Sequence, residues 1–320
     1  MHKFFLIFFF CLVSHSSIFG QEVTDTVEVP FIAYWAKGDS LDFKVTKIKN
    51  QWKAGILTKA DTSSKICRFM VLDSTERSYR ISWRVVENLK GTRNIPAPLQ
   101  NLMSHEEVGD VLYLTDENGQ FQAIENLEEV LASMKMVFRA VTEDLQKKMD
   151  EKEQKAYQKM MEPIMKAYTS EEGLSQKVLA EIQYIHYPFG AAFTFGDTLV
   201  FEEQLPNLLG GDPIIGQGRI YLQEVMEEDA YCILVKDLKL DSKSVLKVIG
   251  ETLKKMGLQG EEYEEIMEDA SYEIVDKLSM EYYYYPGIPI KVEIRRDSDI
   301  AIGGDKGRSL ELTTIEWMRE

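Results

Sequence analysis

The sequence predicts an α+β protein: a curved, mostly antiparallel sheet, open or a half-barrel, with helices packed on it. Three observations carry this. Apolar and polar residues alternate near both ends of the chain, the middle changes to helical spacing, and the blocks run β, then α, then β–α–β. Alternation of period two marks half-buried antiparallel strands, and separate runs of strands and helices mark α+β folds.

The N-terminus, "MHKFFLIFFFCLVSHSSIFGQE", places a short basic segment before an apolar run from Phe4 to Val13, then small and polar residues up to Gly20. This reads as a secretory signal peptide over 1–20, too short to span a bilayer as a helix. Cleavage is expected after Gly20, although Ile18 is bulky where a small residue is preferred. Cys11 lacks the small residue that a lipoprotein cysteine needs before it, so no lipid anchor is expected. The expected location is therefore exported, periplasmic or extracellular.

The first β half covers 21–125. "LDFKV" sets Leu41, Phe43 and Val45 on one face, and "SYRISWRVVEN" does the same with Tyr79, Ile81, Trp83 and Val85. Turn signals stand between the strands at 37–40, 73–77 and 116–120. A helical segment covers 126–190. Leu127, Val130, Leu131, Met134, Phe138, Val141 and Leu145 recur at helical spacing, with Asn126 and Glu129 as a capping-box-like start. A second helix is expected near Pro163, and a third presents Leu174, Val178, Ile182 and Ile185 on one side. The second β half covers 191–320, with a helical insertion near 241–270.

"GDSLDF" (38–43) and "GDTLVF" (196–201) share one pattern, each followed by turn and strand signals. Chance recurrence of a common turn and two related β halves both account for this echo. The second is the expectation carried forward.

Net charge is −16, and −17 once Lys3 leaves with residues 1–20. An acidic surface repels phosphates, which argues against nucleic acid or anionic lipid as partners. No further apolar run is long enough to cross a membrane. Cys67 and Cys232 sit in apolar strand-like runs. An oxidising compartment permits a disulfide between them, and burial as free thiols is the expectation.

"YWAKGDSLDFKV", "FGDTLVFEE", "GRIYLQEVMEEDAYCIL" and "YYYYPGIPIKVEI" resemble uncharacterised secreted β-rich families of Gram-negative bacteria. More broadly the order of elements is similar to the open sheets of periplasmic lipoprotein carriers. The resemblance implies a fold type and a compartment, and it brings no catalytic residues with it.

Catalytic signatures are missing from the sequence. Outside the leader only His105 and His186 remain, without H-E-x-x-H or C-x-x-C spacing, so no metal and no cofactor are expected. His105 reads as a surface loop residue. His186 follows a helix, where its positive form would suit the C-terminal dipole, and it reads as structural. "GDSLDF" lacks the second glycine of a nucleophile elbow, and "GQGRIY" is followed by a strand where a dinucleotide site needs a helix. The acids of "EEYEEIMED" spread around a helix without a calcium-binding loop. Met134, Met136, Met149, Met160, Met161 and Met165 read as core filling, with an adaptable groove as the functional alternative.

"EYYYYPGIPIKVEIR" reads as a hairpin whose even-numbered face, with Tyr282 and Tyr284, is buried. Pro286 and Gly287 are expected at the centres of a type II turn. Tyr283 and Tyr285 share the polar face, and Arg295 points outward from the return strand. These three are the candidate ligand-binding or interaction residues, and no catalytic residue is expected. The functional expectation is a non-catalytic binding protein for an apolar or amphipathic ligand held between sheet and helices. A cell-envelope interaction module comes second, meeting an envelope protein as partner. A carboxylate-dependent hydrolase of envelope polymers comes third.

Overall fold

A computed structural model describes residues 26–89, 110–147, 179–207, 211–255 and 260–319, with isolated positions between 149 and 158 and at 258. The expected leader, His105, the helix start at Pro163, Leu174, Val178, Met160, Met161 and Met165 lie outside the described residues.

Eleven strands form one open antiparallel sheet. A first meander comprises β2 (Ser40–Lys53), β3 (Ile56–Ser74), β4 (Ser78–Leu89), β5 (Val111–Asp116) and β6 (Phe121–Ile124). A second comprises β8 (Thr198–Leu205), β9 (Ile214–Met226), β10 (Tyr231–Leu240), β11 (Ser271–Tyr283), β12 (Ile288–Ile302) and β13 (Asp305–Trp317). The last strand of the second pairs with the first strand of the first, Ile315 opposite Val45, which gives the order β6-β5-β4-β3-β2-β13-β12-β11-β10-β9-β8. A turn, one free residue and a strand follow in the same succession at 37–40 and at 195–198, so both Gly-Asp segments lead into strands.

A second, two-stranded sheet pairs β1 (Glu28–Pro30) with β7 (Ala192–Thr194). The chain after β1 alternates as a strand does, with Phe31, Ala33 and Trp35 buried and Tyr34 exposed. It straps the end of the large sheet. Ala33 N–H donates to the Asn118 carbonyl at 2.9 Å, Tyr34 N–H to Pro286 at 3.2 Å, and the Trp35 indole N–H to Gly287 at 2.9 Å.

Four helices complete the described structure: α1 (Leu127–Gln146), α2 (Ala180–His186), α3 (Ser242–Lys255) and α4 (Glu261–Glu268). Ile182 and Ile185 of α2 join Phe31, Trp35, Phe43, Phe69, Tyr113, Phe189 and Tyr282 in the main core. A smaller cluster under α3 holds Leu238, Leu240, Val245 and Ile274. The sheet face carrying these residues is the inner face. The outer face is laced by ion pairs such as Arg68–Asp42 and Arg219–Asp237.

Three local expectations are corrected. Asn126 stands at the start of α1, where its carbonyl accepts from Val130 N–H at 3.1 Å and its amide reaches Glu129 at 3.4 Å, but its Oδ1 does not turn to the helix's own N–H groups. Its Oδ1 accepts from Leu112 N–H at 2.9 Å and its amide donates to Asp110, so the side chain pins the start of α1 to β5. The turn at Pro286–Gly287 is not type II. Gly287 N–H reaches back to the Tyr283 carbonyl at 3.1 Å, and the Tyr285–Pro286 bond is cis. Of the described methionines in the helical segment, Met134 packs on the core while Met136 is exposed. Among the described side chains of α1, Leu127, Val130, Leu131 and Met134 pack on the core.

Candidate ligand-binding face

On the inner face the apolar phase of several strands gives way to charge. β2 sets Phe43 and Val45 inward and continues the phase with Lys47 and Lys49. β3 follows Phe69 and Cys67 with Lys65, and β12 follows Val292 and Ile294 with Arg296. β10 places Lys236 between Leu234 and Leu238. Residues opposite one another in a ladder share a face. Lys49, Glu311, Arg296 and Asp276 therefore stand side by side across β2, β13, β12 and β11.

That row alternates in sign, and each neighbour supports the next. Lys49 pairs with Glu311. Arg296 grips Asp276 with Nε and Nη2, both at 2.6 Å, and the carboxylate holds the guanidinium pKa above its ordinary value. Paired charges of this geometry are among the stronger polar contacts. Lys49 and Arg296 keep 44% and 40% of their side chains exposed, so solvent reaches the middle of the row.

The ends of the charged belt are closed. Glu181, carried by α2, is 4% exposed and receives Lys47 Nζ at 2.7 Å and Lys65 Nζ at 2.9 Å. Burial would raise its pKa, but the two ammonium groups outweigh that and hold it below the usual carboxylate range. At the other end Lys236 meets Glu203 at 2.7 Å beneath the rings of Tyr187 and Phe201. Burial disfavours its charge, yet Glu203 and Tyr187 keep its pKa raised. Gly218 makes room for this: a Cβ there would lie 2.3 Å from the Phe201 ring.

Asp61, opposite Lys49 on β3, continues the row, so the belt's five cations (Lys47, Lys49, Lys65, Lys236, Arg296) face five carboxylates (Asp61, Glu181, Glu203, Asp276, Glu311) in a chain of net −16. The main core lies on one side of it and the α3 cluster on the other. An open cavity of about 370 Å³ lies at the start of α3, between Asp212, Pro213, Ile215, Ser244, Lys247 and Glu251.

The residues expected to bind are placed elsewhere. Tyr285 is 67% exposed at the hairpin tip, its ring 5.3 Å from that of Tyr34. Tyr283 is half-buried between Tyr231, ring centroids 6.0 Å apart, and the guanidinium of Arg319. Arg295 stands opposite Lys277, well down the hairpin, bound to Asp297 at 2.6 Å on the outer face. The structure brings together neither tyrosine with Arg295. Tyr282 is fully buried and Tyr284 packs on the core.

The belt was not singled out from the sequence, although its signal is there. Charged residues in phase with an apolar strand face, as in Phe43, Val45, Lys47, Lys49, mark where the face changes its neighbour.

His186 is structural, as expected, but as a neutral core residue rather than a helix-end cation. Its ring is buried, which drives the pKa down to about 4. Nδ1 donates to the Gly119 carbonyl at 2.7 Å, which leaves Nε2 to accept from the Tyr113 hydroxyl at 2.8 Å. Cys67 and Cys232 are buried free thiols, and burial pushes both up to about 12. Among the described residues no group of three His, Cys, Asp or Glu could hold a metal ion, and no helix is long and apolar enough to cross a membrane.

No family model matches the chain, and no curated protein does. Among solved structures the chain is similar to lipovitellin, in a structure concerned with lipid–protein interactions, at a TM-score of 0.38 and 10% identity. That match covers 88% of this chain and 25% of the other, so the chain spans about a quarter of that protein's length.

Proposed function

We propose that the protein is an exported, non-catalytic binding protein that receives an amphipathic ligand on its inner face, with the polar head at the charged belt. The observation that carries this is the charged row at Lys49, Glu311, Arg296 and Asp276, open to solvent and flanked by apolar clusters. An apolar tail would lie along a cluster while the head competes for Arg296, whose Nη1 is not engaged by Asp276. The leader-like N-terminus and the resemblance to secreted β-rich families support the exported setting. His186 and both thiols are taken up in core packing.

The test is native mass spectrometry of protein purified from its own host, together with titration of a dansyl fatty acid. Arg296→Leu with Asp276→Leu removes the pair without leaving one charge behind. Binding should weaken at least about tenfold in that variant. Ligand-free protein from the host that also ignores the probe overturns the proposal.

A second reading rests on the aromatic end of the sheet, where Tyr34 and Tyr285 form an exposed pair beside Tyr231, Tyr283 and Arg319. As an envelope interaction module, the protein would lose a crosslinked partner on Tyr283→Ala with Tyr285→Ala. Unchanged recovery of that partner removes this interface.

A further inference from the structure

β8 ends the large sheet. All of it pairs with β9 on one side, from Thr198 opposite Tyr221 to Leu205 opposite Ile214, and no described strand pairs with its other side. An unpaired edge presents a row of N–H and C=O groups that can template another strand, so folded proteins blunt such edges with Lys, Pro, bulges or very short strands. At the opposite end of the sheet β6 has only four residues and leads directly into α1. β8 has eight residues, contains no Lys, Arg or Pro, pairs with β9 without a register shift, and carries its charges, Glu202 and the inward Glu203, only in its second half.

Its exposed apolar residues occur on both faces. Leu199 is 55% exposed on the inner face, in line with Ile220, and Val200 is 77% exposed on the outer face, in line with Arg219. A body packed on one face would cover only one of them. A strand added at the edge flanks both at once.

We propose that the edge of β8 is a self-association site at which β8 of a second copy adds in antiparallel, about a two-fold axis through Val200. A two-fold perpendicular to the sheet keeps inner face against inner face, so residues paired across it must share a face. Centred on Val200, the register sets Val200 against Val200, Leu199 against Phe201, and Thr198 against Glu202 of the second copy. Centred on Phe201, it would set Val200 against Glu202 and Leu199 against Glu203, which leaves charge opposite apolar groups. Apolar matching therefore selects Val200 as the centre. The cost of that register is Asp197 opposite Glu203, and Lys236 already neutralises Glu203 at 2.7 Å. Screening of the repulsion between two copies of net charge −16 should make association stronger at higher salt.

The test uses the full protein by sedimentation velocity and by engineered disulfides. Directly opposite residues in an antiparallel pair lie within disulfide range, while positions several residues out of register do not. Val200→Cys should therefore crosslink to itself under mild oxidation. Thr198→Cys and Glu202→Cys should not do so singly, but together they should. The two native thiols are buried and do not compete. The parent should dimerise in a concentration-dependent way, and Val200→Lys, at an exposed position, should weaken dimerisation at least about tenfold. A parent that stays monomeric at concentrations on the order of 100 µM overturns the proposal. So does a dimer unaffected by Val200→Lys, or Val200→Cys crosslinking no faster than Thr198→Cys alone.

Discussion

The Tyr113 hydroxyl lies 2.8 Å from Nε2 of His186, inside the core. Trp35, Phe69 and Phe189 surround the imidazole, with ring centroids 5.7, 6.3 and 5.6 Å away. A proton added at Nε2 would displace the accepted hydrogen bond and place a charge among these rings. The ring titrates near 6.5 in the unfolded chain and near 4 in the folded one. Between those values the unfolded state binds the extra proton, so the contribution is complete above pH 6.5 and is lost as pH falls towards 4. The total is about 3 kcal/mol, and about 2 kcal/mol of it should disappear between pH 7 and pH 5. Urea unfolding at the two pH values measures this. A flat profile in the parent, or an equal slope in His186→Gln, contradicts the neutral buried ring.

Glu181 leads to a prediction about asymmetry. Its carboxylate is almost wholly buried, whereas Lys47 and Lys65 keep 39% and 29% of their side chains exposed. Removing the acid leaves two ammonium groups that water can reach. Removing both lysines leaves a buried carboxylate without a counter-charge, the situation that costs most. Glu181→Gln should cost about 1 kcal/mol, and Lys47→Met with Lys65→Met about 3 kcal/mol. Equal losses in denaturant unfolding would show that the acid is not the desolvated member.

Strand faces were legible in the sequence because a half-buried strand writes its environment at every second residue. Tyr79, Ile81 and Trp83 are buried as their alternation requires, as are Met280, Tyr282 and Val292 of the tyrosine hairpin. The joining of the two meanders was not legible. Lys47 and Lys49 look like ordinary solvated lysines until Glu181, some 130 residues away, and Glu311 are set beside them by α2 and β13. Local pattern reports what a face requires, while a distant partner's identity is a property of topology. The structural role of His186 was legible, and its charge state was not, for the same reason. Its helix end suggests a cation, and only the aromatic strap from Phe31 to Trp35, arriving from the other end of the chain, makes it neutral.

The strap also sharpens the expectation at the tyrosine hairpin. Gly287 has φ of 88°, in the left-handed region that costs a residue with a Cβ on the order of 1 kcal/mol. Its surroundings add a larger penalty. A Cβ at this position would stand 2.4 Å from the Ile32 carbonyl oxygen and 3.2 Å from the Ala33 Cα, both backbone atoms of the strap. Neither can swing aside as a side chain would. The Gly287 carbonyl also accepts from the Trp35 indole at 2.9 Å, so moving the turn outward would break that bond and uncover the main core. Gly287→Val should cost about 3 kcal/mol or more, combining strain with displacement of the strap. Tyr283→Ala loses only contacts with Tyr231 and Arg319 at a half-buried site, about 1 kcal/mol. Gly287→Ala should already be more harmful than Tyr283→Ala, because the first carbon causes the clash. Thermal melts of the three variants order them, and a Gly287→Ala melting temperature equal to that of the parent would contradict the packing of the strap on the turn.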